Sequence, residues 1–362
     1  MACRPVRPAG SNDDDQVAAR FVRTRDARSA YRWLSWSTSP GTCSVTRRGG
    51  RGGPAWGEAA APSPRRWFPE RWPRRHRGQA SPGTSRSRCP AAEVPAAPIR
   101  KGPVMTATLE NDLWVRRFHP APSSAIRLVA LPHAGGSASY LFPVSKALSP
   151  AVDVLAIQYP GRQDRRHEPV LDSVTDLADG VFNALGPWLD RPVALFGHSM
   201  GAVLAYEVGL RLQLRTGRPP LRLFASGRRA PSRVRDERYV HTRDDAGVLR
   251  ELARLSGSDP RVLGDPELLP MILPAVRGDY KAVETYRADP DQRLDAPITV
   301  LTGDVDPMTT VDEAHDWCRH TTGDCDVQVY PGGHFYLNDH AGDVIRLIGA
   351  ELERLLPSKP IG

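Results

Sequence analysis

The chain has 362 residues, of which 40% are hydrophobic, and a formal net charge of +8 at pH 7. Residues 1–104 hold the whole excess of positive charge, with 19 Arg and 1 Lys against 7 acidic residues, whereas residues 105–362 hold 29 basic and 34 acidic ones. The overall charge is therefore no argument for nucleic-acid or membrane-surface binding by the larger part, and we expect neither partner there.

The sequence carries no sign of export or membrane insertion. It has no run of 18 apolar residues, and its N-terminus lacks the apolar core of a secretory signal, so we expect a cytoplasmic protein. Cys3, Cys43 and Cys89 lie in the basic segment, Cys318 and Cys325 lie beyond it, and no CxxC or other metal-ligand spacing occurs. We therefore expect free thiols.

Residues 1–104 differ in composition from the rest, with 13 Pro, 10 Gly and 5 of the 8 Trp and no sustained period of 2 or 3.6. Such a segment buries too little apolar surface to offset its ordering entropy, so we expect disorder. A nucleic-acid-binding arm and a targeting peptide are alternative interpretations. We favour a third hypothesis, that the segment is not translated: Lys101-Gly102 must be encoded by a purine run shaped like a bacterial ribosome-binding site, just upstream of Met105. Residues 105–362 would then form the protein.

From Met105 onward, short apolar runs alternate with helical periodicity, which predicts βαβ units around a mostly parallel sheet flanked by helices. The predicted strands are 126–131, 152–158, 192–196, 221–225, 298–302 and 327–330, and the predicted helices are 170–185, 202–214, 309–318 and 344–356. Between about 232 and 296 the strand signal is replaced by helical stretches at 246–255, 266–272 and 275–286. A helical insertion between two late strands predicts a lid.

Gly197-His198-Ser199-Met200-Gly201 directly follows a predicted strand and opens a predicted helix. This is the context in which the GxSxG motif presents a nucleophilic serine, because the sharp turn leaves no room for side chains two residues to either side. A chance match in a glycine-rich chain is the alternative interpretation, and the strand before and helix after argue against it. Ser199 is therefore the predicted nucleophile, with the helix N-terminus directed at it.

A serine nucleophile needs a base within hydrogen-bond reach, and His334 is the best placed of the ten histidines. It follows the last predicted strand through Pro331-Gly332-Gly333, at the carboxyl edge where α/β sheets place their sites. His133 is expected to pack beside the site, and His198 is expected to point away from Ser199. His315 and His320 are expected to be solvated on a polar helix.

Two aspartates compete to orient the base, because Gly303-Asp304-Val305-Asp306-Pro307 follows the predicted strand 298–302. Either gives the chain order Ser, Asp, His that is typical of the α/β-hydrolase fold. Asp306 is the preferred candidate, since an acid three residues past the glycine has turned far enough off the strand to reach His334. Asp304 would more naturally bond the backbone of its own turn.

The oxyanion of the reaction needs backbone donors, and the glycine-rich loop 132–137 after the first predicted strand can supply one. We predict the N–H groups of Met200 and Ala134, each contributing about 3 to 4 kcal/mol. A glycine-rich turn after a strand could instead cradle phosphate, but neither GxGxxG nor a Walker A sequence is present.

Five motifs stand out along the chain: Leu131-Pro132-His133-Ala134-Gly135-Gly136-Ser137, Tyr159-Pro160-Gly161-Arg162, Gly197-His198-Ser199-Met200-Gly201, Ser226-Gly227-Arg228-Arg229-Ala230-Pro231 and Pro331-Gly332-Gly333-His334-Phe335. Together they resemble the type II thioesterases that serve polyketide and nonribosomal peptide synthases. The resemblance runs from about residue 113 to 356. It implies an α/β-hydrolase fold, a triad of Ser199, Asp306 and His334, and a mobile helical lid. It also implies hydrolysis of stalled or wrong acyl units from the phosphopantetheine arm of an acyl or peptidyl carrier protein.

The residues fit this chemistry without a metal or redox cofactor, because serine attack on a thioester and return of the proton by histidine complete the reaction. Apolar residues in 263–274 could line an acyl pocket or only pack the lid onto the body. Three functions stay open: an editing thioesterase, a product-releasing thioesterase or other acyl hydrolase of this fold, and a carrier-binding module without activity. We expect a monomer.

Overall fold

The computed structural model describes residues 113–235, 239–255 and 263–356, so the predictions made for residues 1–104 lie outside the described part. These residues form a seven-stranded sheet. Its strands are β1 (Val115–Arg116), β2 (Arg127–Leu131), β3 (Asp153–Ile157), β4 (Val193–His198), β5 (Leu223–Ser226), β6 (Ile298–Gly303) and β7 (Cys325–Tyr330). They lie in the order β1-β3-β2-β4-β5-β6-β7. Only the β1–β3 pair is antiparallel. The predicted mostly parallel sheet is confirmed.

Helices cover both faces of the sheet. They are α1 (Phe142–Leu148), α2 (Val174–Ala184), α3 (Met200–Thr216), α4 (Asp245–Leu255), α5 (Leu269–Thr285), α6 (Val311–His315), α7 (Tyr336–Asp339) and α8 (Ala341–Arg354). One core packs α2, α3 and α6 on the sheet, and the other packs α1, α7 and α8 on the opposite face. Within β2, Val129 and Leu131 enter the first core and Leu128 and Ala130 the second, as the two-residue period of a strand requires.

The predicted strands are found with ends shifted by one or two residues, and two predicted helices, 170–185 and 309–318, are shorter in the structure. Helix 309–318 is shorter than expected: α6 ends at His315 and a 3₁₀ segment, Asp316–His320, continues the chain. Strand β1 and the helices α1 and α7 were not predicted. Two residues are too few to show a period, and α1 carries Pro143 at its start, which marks a helix N-terminus only once the helix is known.

The segment between β5 and β6 is helical, with α4 and α5 as its described elements. The expected break between 266–272 and 275–286 is wrong, because α5 runs through Pro274. A proline removes only one helical hydrogen bond, and burial of Leu273 and Val276 against Val248 on α4 holds the two halves in line. We call α4 and α5 the helical insertion. It contributes a third, smaller core above the carboxyl edge of the sheet.

The expectation of free thiols is wrong for Cys318 and Cys325, which form a disulfide. The chain reverses between the 3₁₀ segment and β7, so the two Cα atoms lie 5.3 Å apart, within disulfide range. The sequence shows two cysteines seven residues apart but not the reversal that joins them. None of the described helices is both long and apolar enough to cross a bilayer.

Candidate active site

Ser199 occupies a strained turn between β4 and α3, with φ +55° and ψ −115°. The turn is possible because its neighbours are glycines. A Cβ on Gly197 would lie 1.9 Å from the carbonyl oxygen of Gly201, and a Cβ on Gly201 would lie 2.2 Å from that of Leu131. Since a non-glycine residue at positive φ carries strain, the surrounding backbone must hold Ser199 in place.

His334 bridges Ser199 and Asp306. Its Nε2 lies 2.9 Å from the Ser199 Oγ, and its Nδ1 lies 3.0 and 3.1 Å from the two carboxylate oxygens of Asp306. His334 and Asp306 are buried, and the Asp306 carboxylate also accepts a hydrogen bond of 2.8 Å from the Met308 backbone N–H. This geometry can hold the imidazole with Nδ1 protonated and Nε2 free to accept the serine proton. The structure thus brings together the three side chains named from the sequence.

Asp304 lies on the same loop but does not contact His334. Its Oδ1 accepts a 2.8 Å hydrogen bond from the backbone N–H of Gly332. The expectation that it bonds its own turn is wrong, because the turns after β6 and β7 pack too closely: a Cβ on Gly303 would lie 2.2 Å from the Gly332 carbonyl oxygen. Asp304 therefore ties the loop before His334 to the loop that carries Asp306.

His133 and His198 are buried beside His334. The His133 ring packs edge-on against Tyr140 and Phe335, as expected of a residue beside the site. Burial, with a smaller contribution from the neighbouring His334, lowers the pKa of His133 to about 3. Burial likewise holds the pKa of His198 well below its usual value. Both rings are therefore neutral at pH 7, and they add no positive charge next to the imidazole that must accept a proton.

His198 points away from Ser199, as predicted, into a buried polar chain. Its Nδ1 lies 3.0 Å from the Ser226 Oγ, which lies 2.7 Å from the Tyr336 hydroxyl. Burial raises the pKa of Tyr336 well above its usual value, so the phenol stays protonated. The His198 and His334 ring centroids are 5.1 Å apart. Ser226 and Tyr336 were not singled out from the sequence, although Ser226 begins one of the five motifs.

The expectation that His320 is solvated is wrong. His320 is buried, and its Nε2 lies 2.8 Å from the Ser232 Oγ. The 3₁₀ segment turns this residue inward, beside Tyr206 and Trp317, whereas His315 stays exposed. Helical periodicity could not give this orientation, because the chain leaves the α-helical period at residue 316.

The two backbone groups predicted to bind the oxyanion lie at the ends of two elements. Met200 is the first residue of α3, so its N–H has no acceptor within the helix. Ala134 follows β2 and precedes Gly135, which adopts φ +73°. The Gly136 N–H bonds the His133 carbonyl oxygen at 2.9 Å and closes a tight turn. The loop 132–137 therefore folds back beside the turn of Ser199, where a Cβ on Gly201 would lie 2.2 and 2.7 Å from the Leu131 and Pro132 carbonyl oxygens.

A buried ion pair that was not predicted supports this loop. Arg162, from the Tyr159-Pro160-Gly161-Arg162 motif, pairs with Asp279 of α5, and neither side chain is exposed. Asp279 is spaced three residues from Val276 and four from Val283, so it falls on the apolar face of α5. An acid on an apolar helical face was the available signal, because buried carboxylates are paired.

Among the described residues, no three His, Cys, Asp or Glu side chains are grouped as a metal site needs. The side chains of Ser199, His334 and Asp306 at the carboxyl edge have the hydrogen-bond geometry that a nucleophile, a base and an orienting carboxylate would need.

Comparison with known proteins agrees with this geometry. The thioesterase domain family matches residues 126–352. The chain belongs to the thioesterase family. It is a serine hydrolase, and the family's solved members share its α/β-hydrolase fold. This thioesterase is 50% identical over 284 residues to a probable cadicidin biosynthesis thioesterase of Streptomyces griseus, covering 77% of this chain and 78% of the relative.

Two further similarities concern named enzymes. Thioesterase PikA5 of Streptomyces venezuelae is 51% identical to this thioesterase over 245 residues, which are 67% of this chain and 87% of PikA5. The solved structure of BorB, the type II thioesterase of the borrelidin biosynthetic cluster, is 47% identical. It superposes with a TM-score of 0.63 over 68% of this chain and 98% of BorB. The similarity to BorB thus spans nearly all of that enzyme.

Proposed function

We propose that this thioesterase removes aberrant or stalled acyl groups from the phosphopantetheine arms of acyl or peptidyl carrier proteins in polyketide or nonribosomal peptide synthesis. The observation that carries the proposal is the continuous hydrogen-bonded line from the Ser199 Oγ through His334 to Asp306. The substrate class is supported by the relatives, among them the type II thioesterase BorB of the borrelidin biosynthetic cluster and a probable cadicidin biosynthesis thioesterase.

The first half of the proposed reaction forms an acyl-serine. His334 Nε2 takes the proton of the Ser199 hydroxyl as the oxygen attacks the thioester carbonyl carbon. The carbonyl oxygen gains negative charge, which the N–H groups of Met200 and Ala134 would stabilise at the N-terminus of α3. Collapse of the tetrahedral intermediate breaks the carbon–sulfur bond, and the phosphopantetheine leaves as a thiol with the proton from His334.

The second half releases the acid. His334 takes a proton from a water molecule, the hydroxide attacks the acyl-serine carbonyl carbon, and the proton returns to the Ser199 oxygen as the ester bond breaks. Asp306 stabilises the imidazolium that forms in each half and holds its tautomer. The helical insertion is proposed to cover the acyl chain as a lid, with the apolar stretch around Leu268, Leu269 and Ile272 beside it.

An assay on loaded carrier proteins tests the proposal. We expect purified enzyme to hydrolyse short acyl groups from carrier proteins with a higher kcat/KM than it shows on the matching free oxygen esters. Ser199→Ala should lose about 10⁶-fold in kcat. A fluorophosphonate should label the wild-type enzyme at Ser199 and leave the variant unlabelled.

The same panel separates editing from product release. An editing enzyme should cleave short and mismatched acyl units at least as fast as the full-length chain. A strong preference for the full-length chain would contradict the editing role and favour release. A faster reaction with free esters than with carrier proteins would contradict the carrier-protein substrate. Absence of both hydrolysis and labelling would leave only a binding module.

A further inference from the structure

The ion pair between Arg162 and Asp279 joins three separate parts of the chain. The Arg162 Nη1 and Nη2 donate to the two Asp279 carboxylate oxygens at 2.6 and 2.8 Å. The backbone N–H of Gly135 donates to the same carboxylate at 2.7 Å. Arg162 Nη1 also donates to the Gly136 carbonyl oxygen at 3.1 Å. A carboxylate of α5 thus holds the peptide group between Ala134 and Gly135, and a guanidinium from the loop after β3 holds the one between Gly136 and Ser137.

The contacts next to this pair are equally close. A Cβ on Gly135 would lie 2.8 Å from a Val276 methyl carbon of α5, so helix and loop touch directly. Val170 fills the space between Gly161 and Gly278, whose Cβ atoms would lie 2.5 and 2.3 Å from its methyl carbons. Packing at this density leaves the loop no room to move unless α5 moves with it.

The Gly135 N–H is occupied by Asp279 and cannot serve the oxyanion. Its orientation nevertheless matters, because Asp279 fixes the peptide group between Ala134 and Gly135, and Arg162 fixes the one between Gly136 and Ser137. The N–H of Ala134 belongs to the peptide group directly before the one that Asp279 holds, so its direction depends on the same anchor. A displacement of an oxyanion donor by about 1 Å is enough to cost roughly 10²-fold in rate.

We infer that Asp279, held by Arg162, is a positioning residue. From its place on α5 in the helical insertion, it orients the Ala134 N–H toward the oxyanion. The inference rests on the proposed function, since it assigns a use to the proposed oxyanion donor. Helix α5 would then have two roles: it would cover the substrate, and through Asp279 it would orient an oxyanion donor. A change in α5 at this point would alter turnover without any contact to the acyl chain.

The chain offers a matched control in Asp153. This carboxylate is also fully buried, and it accepts hydrogen bonds from Arg117 at 2.9 and 3.1 Å, from Arg127 at 3.3 Å and from the Ala121 backbone N–H at 3.1 Å. It is the first residue of β3, at the edge of the sheet opposite Ser199. Asp153→Asn therefore tests loss of a buried ion pair without change to the loop 132–137.

The experiment compares Asp279→Asn with Asp153→Asn on an acyl-N-acetylcysteamine thioester, a substrate that needs no carrier protein. Sites are counted by complete labelling with a fluorophosphonate, so that kcat refers to folded enzyme only. We expect both variants to unfold at lower denaturant concentration than the wild type. Only Asp279→Asn should lose about 10²-fold in kcat, with KM changed less than about threefold, because the donor acts on the transition state.

A second variant covers the case in which Asp279→Asn does not fold. The double substitution Arg162→Met with Asp279→Leu removes both buried charges, which restores folding in many proteins because no unpaired charge remains. It also removes the groups that hold the Gly135 N–H and the Gly136 carbonyl. We expect this enzyme to fold and to stay about 10²-fold slow. Its affinity for an alkyl boronic acid, whose Ser199 adduct places an oxygen at the oxyanion position, should fall in parallel.

The outcomes separate the possibilities. Turnover of the double variant within about threefold of wild type, per labelled site, would overturn the inference. So would an equal loss of kcat in Asp153→Asn, since that would mean general loosening. A wild-type enzyme that fails to hydrolyse the thioester, or a Ser199→Ala variant that hydrolyses it equally well, would instead contradict the proposed function.

Discussion

Two buried aspartates on opposite edges of the sheet are held in nearly the same way. Asp279 and Asp153 are both fully buried, and each accepts a hydrogen bond from one backbone N–H; Asp279 is paired with one guanidinium and Asp153 with two. Asp279 holds the loop after β2, beside Ser199. Asp153 holds the start of β3 to Arg127 at the start of β2, its register partner. The same kind of buried carboxylate–guanidinium pair therefore has a different role at each place, depending on which segments it joins.

The same contrast extends to the other polar groups of the two edges. At the carboxyl edge, His334 joins Asp306 to Ser199 by hydrogen bonds, and the neutral rings of His133 and His198 lie next to His334. Parallel strands direct every following loop to this edge, so it is the place where distant residues meet. At the amino edge, where the parallel strands begin, the buried carboxylate of Asp153 joins the starts of β2 and β3. Substitutions at the two edges should accordingly differ in what they change, turnover or stability.

The largest effect expected at the carboxyl edge belongs to Asp306. Replacement by Asn leaves the shape but removes the charge that holds Nδ1 of His334 protonated, so kcat should fall about 10⁴-fold. Steady-state hydrolysis of an acyl thioester, scaled to the sites labelled by fluorophosphonate, measures the loss.

Asp304→Asn is the control for this prediction. Asp304 bonds the Gly332 N–H and does not reach the imidazole, so its replacement should cost much less than that of Asp306. A 10⁴-fold loss in Asp304→Asn together with a mild effect of Asp306→Asn would reverse the assignment of the orienting acid.

Most of the fold could be predicted from the sequence, because the signals for its strands and helices are local. Each central strand is a short apolar run bounded by turn residues, and each flanking helix shows a clear period. The errors fall where the local signal is weak or misleading. Strand β1 has two residues, and Pro274 suggests a break that packing of α5 against α4 overrides.

The meeting of Ser199, Asp306 and His334 could also be foreseen, since each follows a parallel strand and such ends share an edge. The partnership of Arg162 and Asp279 could not, because it joins a motif to a helix 117 residues away with no periodic relation. The contact between Cys318 and Cys325 depends on a chain reversal. The burial of His320 depends on the 3₁₀ segment that carries it. Each of these depends on the local path of the backbone, which composition and period do not determine.

The disulfide offers a test at the amino edge. Cys325 is the first residue of β7, so the bond lies away from Ser199. Closing so short a loop restricts the unfolded chain, and its loss should lower the free energy of unfolding by about 2 kcal/mol while kcat stays unchanged. Urea denaturation with and without a reductant measures the difference. The double variant Cys318→Ser with Cys325→Ser should be insensitive to the reductant, and a drop in its kcat would contradict the separation of the two edges.

The smallest effect concerns the pH dependence of stability that His133 contributes to the carboxyl edge. Its pKa is about 3 in the folded protein, whereas an unfolded histidine titrates near 6.5. Above pH 6.5 both states are neutral and the ring adds no pH dependence. As the pH falls from 6.5 toward 3, only the unfolded state takes up the proton, so the free energy of unfolding falls by about 1 kcal/mol by pH 5.5.

His133→Leu removes this titration and isolates it. Between pH 7.5 and 5.5, the free energy of unfolding should fall by about 1 kcal/mol more in the wild type than in the variant, as measured by urea denaturation at each pH. His198 remains in both proteins, so its own contribution cancels in the comparison. If the two proteins lost stability equally, the ring of His133 would have to be protonated, or open to water, in the folded state. A positive charge would then lie beside the His334 ring in the folded protein.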